Sequence, residues 1–254
     1  MPGGKSDRFT FDTGGIEESP VWSPDGKQIL YAAGRPKSTM SLFLKPANLA
    51  GDAVEVFKAP GFLAPNDWSR ANGTVTLSMA PQLTARLMDI WSLALDPAGT
   101  QTDLKAEPFL KTDQGEERGK LSPDGRWLAY QSSATGRTEV YVRPFPLSLE
   151  RTGQSMVSNG TGTMPLWNRN GKELFYKGPK GIMAVDVTLG TAFKSGEPKV
   201  LFPPPSYPAS TGPVFNWDVS PDGSKFLINV LPNAGDGGQP VNITVVQHWT
   251  AGLK

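Results

Sequence analysis

The chain has 254 residues, 38% of them hydrophobic, with 25 Lys and Arg against 24 Asp and Glu, one histidine and no cysteine. That length can bury a substantial core within one β domain. The near-zero net charge and the lack of a basic stripe exclude a nucleic-acid partner, and the absent cysteines exclude disulfides, thiolate metal sites and a cysteine nucleophile.

In chain order, residues 1–15 hold no apolar stretch such as a secretory signal requires, and no 18 consecutive apolar residues occur anywhere, so no membrane span is expected. The compartment stays open on these grounds, and the chain can equally be a fragment of something longer. Asp7–Thr13 alternates as a strand should but has no neighbour to pair with. Unit one then follows with strands expected at Glu18–Ser23, Lys27–Ala33, Met40–Pro46 and Ala53–Lys58. Unit two offers Leu63–Ser69, Thr74–Met79, Met88–Asp96 and Glu107–Lys111; unit three Arg118–Ser122, Arg126–Ser132, Thr138–Phe145 and Gln154–Asn159. Unit four offers Thr163–Asn168, Lys172–Lys177, Ile182–Val187 and Lys199–Phe202, and unit five Val214–Ser220, Lys225–Leu231 and Val241–His248. Gly and Pro, 28 and 24 in number, fall at hairpin intervals and interrupt every window that could read as a long helix.

The units are tied together by Ser-Pro-Asp-Gly, which occurs at 23–26, 122–125 and 220–223, with degenerate copies at Arg70–Gly73 and Asn168–Gly171. Proline presets φ and glycine supplies a positive φ, as a type I turn closing a hairpin through a bulge requires. Turn geometry thus accounts for the aspartates without a catalytic role. The repeats run over about 16–60, 61–112, 113–160, 161–204 and 205–254. The expected fold is an all-β propeller, a single domain of five four-stranded blades with strand 7–13 completing the last and closing the ring. Trp22, Trp68 and Trp167 precede their hairpins at nearly one position and read as blade-to-blade core.

Pro20-Val21-Trp22-Ser23-Pro24-Asp25-Gly26-Lys27 resembles the repeat of TolB-like, WD40-like (PD40) propellers. Leu121–Tyr130 with Gly136–Pro146, the run Trp167–Tyr176 and the closing Trp249–Lys254 look more narrowly like the C-terminal propeller of bacterial serine/threonine protein kinases. The likeness spans nearly the whole chain and weakens in unit two. It implies a propeller outside the cytoplasm or in the periplasm, one that binds something and relays it to a fused kinase. The kinase itself is not here, since no Gly-rich loop, His-Arg-Asp or Asp-Phe-Gly motif occurs.

The lone His248, with no Gly-x-Ser-x-Gly elbow, offers no triad and no zinc site, so no catalytic residue, metal ligand or cofactor is assigned. Oxygen donors leave calcium as the one cation to consider. Aligning the units on their glycines instead gathers Glu18, Asn66, Asp67, Glu117, Arg118, Met164, Asn216 and Trp217 at an expected channel mouth. The expected role is non-enzymatic: a binding or scaffold propeller taking a protein partner or a small polar ligand on one face. The alternative is a propeller hydrolase or lyase working with carboxylates and a divalent cation in the channel.

Overall fold

The structure, a computed structural model, describes residues 8–10, 15–34, 39–81, 87–96, 98, 104–147, 153–203, 215–229 and 243–247. Among them are five antiparallel sheets and no helix. The first holds β1 (Ile16–Trp22), β2 (Gln28–Gly34), β3 (Met40–Pro46) and β4 (Val54–Ala59) in that order, and the second β5 (Phe62–Trp68), β6 (Thr74–Ala80), β7 (Asp89–Ala94) and β8 (Ala106–Leu110). The third holds β9 (Glu116–Leu121), β10 (Trp127–Ser132), β11 (Glu139–Pro144) and β12 (Ser155–Met156). In the fourth, β13 (Thr163–Trp167) and β14 (Glu173–Gly178) lead to β15 (Gly181–Leu189), which pairs both β16 (Phe193–Ser195) and β17 (Lys199–Phe202). The fifth comprises β18 (Trp217–Val219), β19 (Lys225–Asn229) and β20 (Ile243–Gln247).

The Ser-Pro-Asp-Gly turns show why those residues are repeated. Ser122 Oγ donates to Asp124 Oδ1 at 2.5 Å while accepting from Trp127 N at 3.0 Å, and Asp124 Oδ1 also accepts from Arg126 N at 3.1 Å. The same three bonds recur around Ser23 and Asp25, and around Ser220 and Asp222. Gly26, Gly125 and Gly223 then take φ of 72°, 70° and 72°. In unit two the glycine stands one residue later: Gly73 N bonds to Ser69 O, whereas Gly26 N bonds to Ser23 O three residues back. Alignment on glycines therefore slips by one there, and alignment on Ser23, Ser69, Ser122, Asn168 and Ser220 is the correct register.

Two elements differ from the sequence reading. β16 has no counterpart in it: β15 runs on past its β14 partner, and a short turn folds Phe193–Ser195 back onto Val187–Leu189. The strand expected at Gln154–Asn159 pairs only over Ser155–Met156. Ser158 Oγ, accepting from Val140 N at 2.7 Å, supplants the backbone acceptor and ends the ladder.

The second strand of the third sheet is sandwiched, whereas in the fifth Leu227 of β19 is 46% exposed. All six residues of β10 are buried because neighbouring sheets cover both its faces, and Leu30, Tyr31 and Ala32 of β2 are buried too, with the second sheet on one face and Phe9 on the other. Four apolar clusters fill the spaces between consecutive sheets, around Leu30 and Trp68, Ile90 and Tyr130, Trp127 and Trp167, and Phe175 and Trp217. Of the segment 7–13 only Arg8–Thr10 is described, without strand pairing. Phe9 meets Tyr31 edge-on at 6.1 Å, and its carbonyl accepts from Lys45 Nζ at 2.7 Å. Tyr31 matches Tyr130 and Tyr176, each opposite the inner-strand bulge of its sheet, and those two face the preceding sheet. Phe9 therefore lies on the side of the first sheet that its fellows offer to a predecessor. His248, the closing 249–254 run and the greater part of 7–13 lie outside the described residues.

Candidate binding site at the channel mouth

The first strand of every sheet carries side chains into one cavity of about 430 Å³. In the serine register, two positions before the turn, the five strands contribute Val21, Asp67, Lys120, Leu166 and Asp218, and all five line it. At the next position stand Trp22, Trp68, Leu121, Trp167 and Val219, which also line it. Hairpin residues Ser69, Arg70, Ser122, Pro123 and Arg169 form the rim. The repeat thus fixes the backbone and lets the wall differ from sheet to sheet.

The wall is electrostatically organised. Lys120 Nζ donates to the carbonyl of Asn66 and sits 4.3 Å from the centre of the Phe215 ring, reaching from the third sheet to the second and to the approach of the fifth. Asp67 Oδ2 accepts from Leu121 N at 2.9 Å. Burial pushes the Asp67 carboxyl up from its ordinary range, and the Asp218 charge adds to this, against the opposite pull of Lys120 and the Leu121 N–H. Asp218 Oδ1 accepts from Val219 N at 2.8 Å. Trp167 Nε1 donates to Lys120 O at 2.9 Å, tying the fourth inner strand to the third.

Of the eight residues expected at the channel mouth, only Asp67 lines this cavity. Glu18, Asn66, Glu117, Arg118 and Met164 sit further toward the N-terminal ends of the inner strands, at or beside bulges that recur in the first four sheets, and Asn216 and Trp217 stand at the start of β18 in the fifth. Ser19, Arg118 and Met164 take φ of 56°, 60° and 54° there. Arg118 and Met164 join their sheets to the neighbouring ones. Ser78 Oγ accepts from Asn66 Nδ2 at 2.9 Å and from Arg118 N at 3.0 Å. Gln131 Oε1 accepts from Arg118 Nη1 at 3.1 Å and Met164 N at 3.0 Å, and Gln131 Nε2 donates to Glu117 Oε1 at 2.9 Å. Burial raises the Glu18 carboxyl, and Asn66, Arg118, Met164 and Trp217 are buried outright.

The tryptophan reading needs one correction. Trp68 and Trp167 are 4% and 8% exposed, as blade-to-blade core should be, whereas Trp22 is 57% exposed at the cavity. Sequence reasoning also passed over Arg70, Lys120, Arg169 and Asp218. The signal lay in the degenerate turns, where arginine stands in place of proline. Among the described residues no group of three or more His, Cys, Asp or Glu is placed to hold a metal ion, and no helix is long and apolar enough to cross a membrane.

Solved structures with the same architecture include TolB from Acinetobacter baumannii, with a TM-score of 0.61, 16% identity, and coverage of 92% of this chain but 52% of that one. An oligogalacturonate lyase from Vibrio parahaemolyticus matches with a TM-score of 0.55 and 13% identity over 87% of this chain and 64% of that one. The β-propeller domain of Cps50 (Swd1) from Myceliophteria thermophila matches at 0.51 and 11% identity over 91% and 71%. The chain is an all-β propeller of the TolB-like kind in fold, and it spans about half the length of the TolB chain it matches. No protein-family model matches it, and no curated protein matches its sequence.

Proposed function

We propose that this chain is a non-enzymatic binding module, a sensing or scaffold propeller whose ligand or partner enters the central channel at the hairpin end. One observation carries the reading: equivalent positions in all five inner strands line a single cavity, yet the residues there are Val21, Asp67, Lys120, Leu166 and Asp218. The turns repeat their residues while this wall does not, as a recognition surface built on a repeated frame does. The resemblance to kinase-associated propellers supports a sensing role that a fused domain would read.

The absence of cysteine makes the test direct. Arg70→Cys, labelled with a bulky maleimide, blocks the rim, while Asp52→Cys, exposed and away from the cavity, is the labelled control. In a thermal-shift screen of a soluble metabolite library, compounds that stabilise the control should lose their effect on the blocked variant. Hits that persist after blocking would place binding elsewhere.

A hydrolase or lyase is the second reading, and Asp67 is the observation that favours it. A half-buried carboxyl that burial raises from its ordinary range, set in one wall with Lys120, suits general acid catalysis. Asp67→Asn should then abolish turnover while leaving ligand binding in place; binding without turnover in the parent chain excludes this reading.

A further inference from the structure

The two hairpins that depart from Ser-Pro-Asp-Gly depart in the same way. The position held by Pro24, Pro123 and Pro221 in three units is Arg70 in the second and Arg169 in the fourth. Proline there presets φ, so arginine gives up local stiffness and gains a guanidinium. Both arginines are exposed, both line the cavity, and neither has a hydrogen bond or ion pair among the described residues. The remaining charges of the wall already have partners: Asp67 with Leu121 N, Lys120 with the Asn66 carbonyl and the Phe215 ring, and Asp218 with Val219 N. Three cations, Arg70, Lys120 and Arg169, thus stand against two carboxylates, Asp67 and Asp218, and the uncommitted charge at the rim is positive. Beside it lies Trp22, the one exposed member of its tryptophan set.

We propose that the channel mouth recognises a small organic anion, with its acidic groups taken by Arg70 and Arg169 and its apolar body laid against Trp22. This rests on the reading of the cavity as a binding site. Guanidinium is a planar fork of donors that matches a carboxylate with two parallel bonds, a geometry that lysine cannot offer. The cavity, about 430 Å³, falls within the range of small-molecule sites and is short of what a folded partner would fill. Exposed Trp22 supplies the flat apolar surface that such a site needs beside its polar groups.

The test uses a matched pair of probes on the whole chain: isophthalate, a benzene ring with two carboxylates, and m-xylylenediamine, the same ring with two ammonium groups. Calorimetric titration should show saturable binding of isophthalate and none of the diamine. R70E/R169E should weaken isophthalate at least about tenfold and W22A severalfold, with melting unchanged, in keeping with charge-assisted hydrogen bonds and an aromatic contact. The single variants R70Q and R169Q keep the test decisive should the double variant fail to fold. Isophthalate binding that ignores the charge reversal overturns the proposal. Binding of the diamine instead, abolished by the maleimide at position 70, overturns the anion assignment but leaves the binding site standing. No binding of either probe, together with a silent metabolite screen, removes both.

Discussion

Ser78 Oγ on β6 accepts hydrogen bonds from Asn66 Nδ2 of its own sheet and from the backbone N–H of Arg118 in the next, at 2.9 and 3.0 Å. One buried hydroxyl therefore pins two sheets at the level of their bulges. Ser78→Ala leaves the buried Arg118 N–H unmet and Asn66 Nδ2 with only its 3.4 Å bond to Ala64 O, and should cost about 1–3 kcal/mol. Urea denaturation measures it, and Ser78→Thr should recover part of the loss.

The turn glycines are not equivalent. Gly26 and Gly223 share a positive φ of 72°, but a Cβ on Gly26 would meet nothing within 4 Å, whereas one on Gly223 would come within 2.3 Å of Asn168 Nδ2. Gly26→Ala should cost only the conformational term, about 1–2 kcal/mol. Gly223→Ala should cost more, since the hairpins of the fourth and fifth sheets must also separate. Equal losses in the two variants would contradict this close approach.

Much of this fold could be read from the sequence because its repeats are marked by turn chemistry. Ser122, Asp124 and Gly125 do locally what their types predict, and the strands on either side follow from alternation. The site was less legible. Asn66 and Arg118 look like polar residues at a channel mouth, yet both converge on the buried Ser78 hydroxyl that links the second sheet to the third, because a bulge turns that stretch of inner strand inward. The shift of Gly73 by one residue hid Asp67 as the counterpart of Lys120, and Arg70 and Arg169 read as decay of a motif. Alternation says which way a side chain points only while the register is unbroken.

Acid should act on this fold in two opposite ways. Asp25 and Asp124 are held below the ordinary carboxylate range, Asp25 chiefly by its serine and backbone hydrogen bonds, and Asp124 by such bonds outweighing its burial. Their contribution is present above the unfolded pKa and is lost as pH falls through the folded one. Asp67, raised by burial, contributes in the reverse sense: its share is full below the unfolded pKa and is lost as pH rises through the folded one. Asp67→Asn should therefore flatten the decline of stability as pH climbs through and above the ordinary carboxylate range. D25N/D124N should reduce the decline on the acid side, below that range. Melting temperature against pH for the two variants reads both.

We propose that the N-terminal segment seals the first sheet and closes the ring. Phe9 packs on Tyr31, and Lys45 lies 5.1 Å from the centre of the Phe9 ring while also donating to its carbonyl. Phe9→Ala should cost about 1–2 kcal/mol for a half-buried aromatic, and deletion of residues 1–14 considerably more. A melting temperature unchanged by the deletion would contradict closure through this segment.

The central claim is a positively charged, aromatic-flanked mouth at the hairpin end of the channel, and the fluorescence of Trp22 reports on it most directly. Iodide and caesium both quench exposed indoles by collision but differ in charge and in intrinsic efficiency, so each quenching constant is expressed relative to that for free N-acetyltryptophanamide, and the difference between the parent chain and W22F isolates the Trp22 signal. Iodide should quench that signal more strongly than caesium at low ionic strength, with the preference falling in salt and reversing in R70E/R169E. Equal quenching by the two ions, or a preference for iodide that survives the charge reversal, would contradict the account.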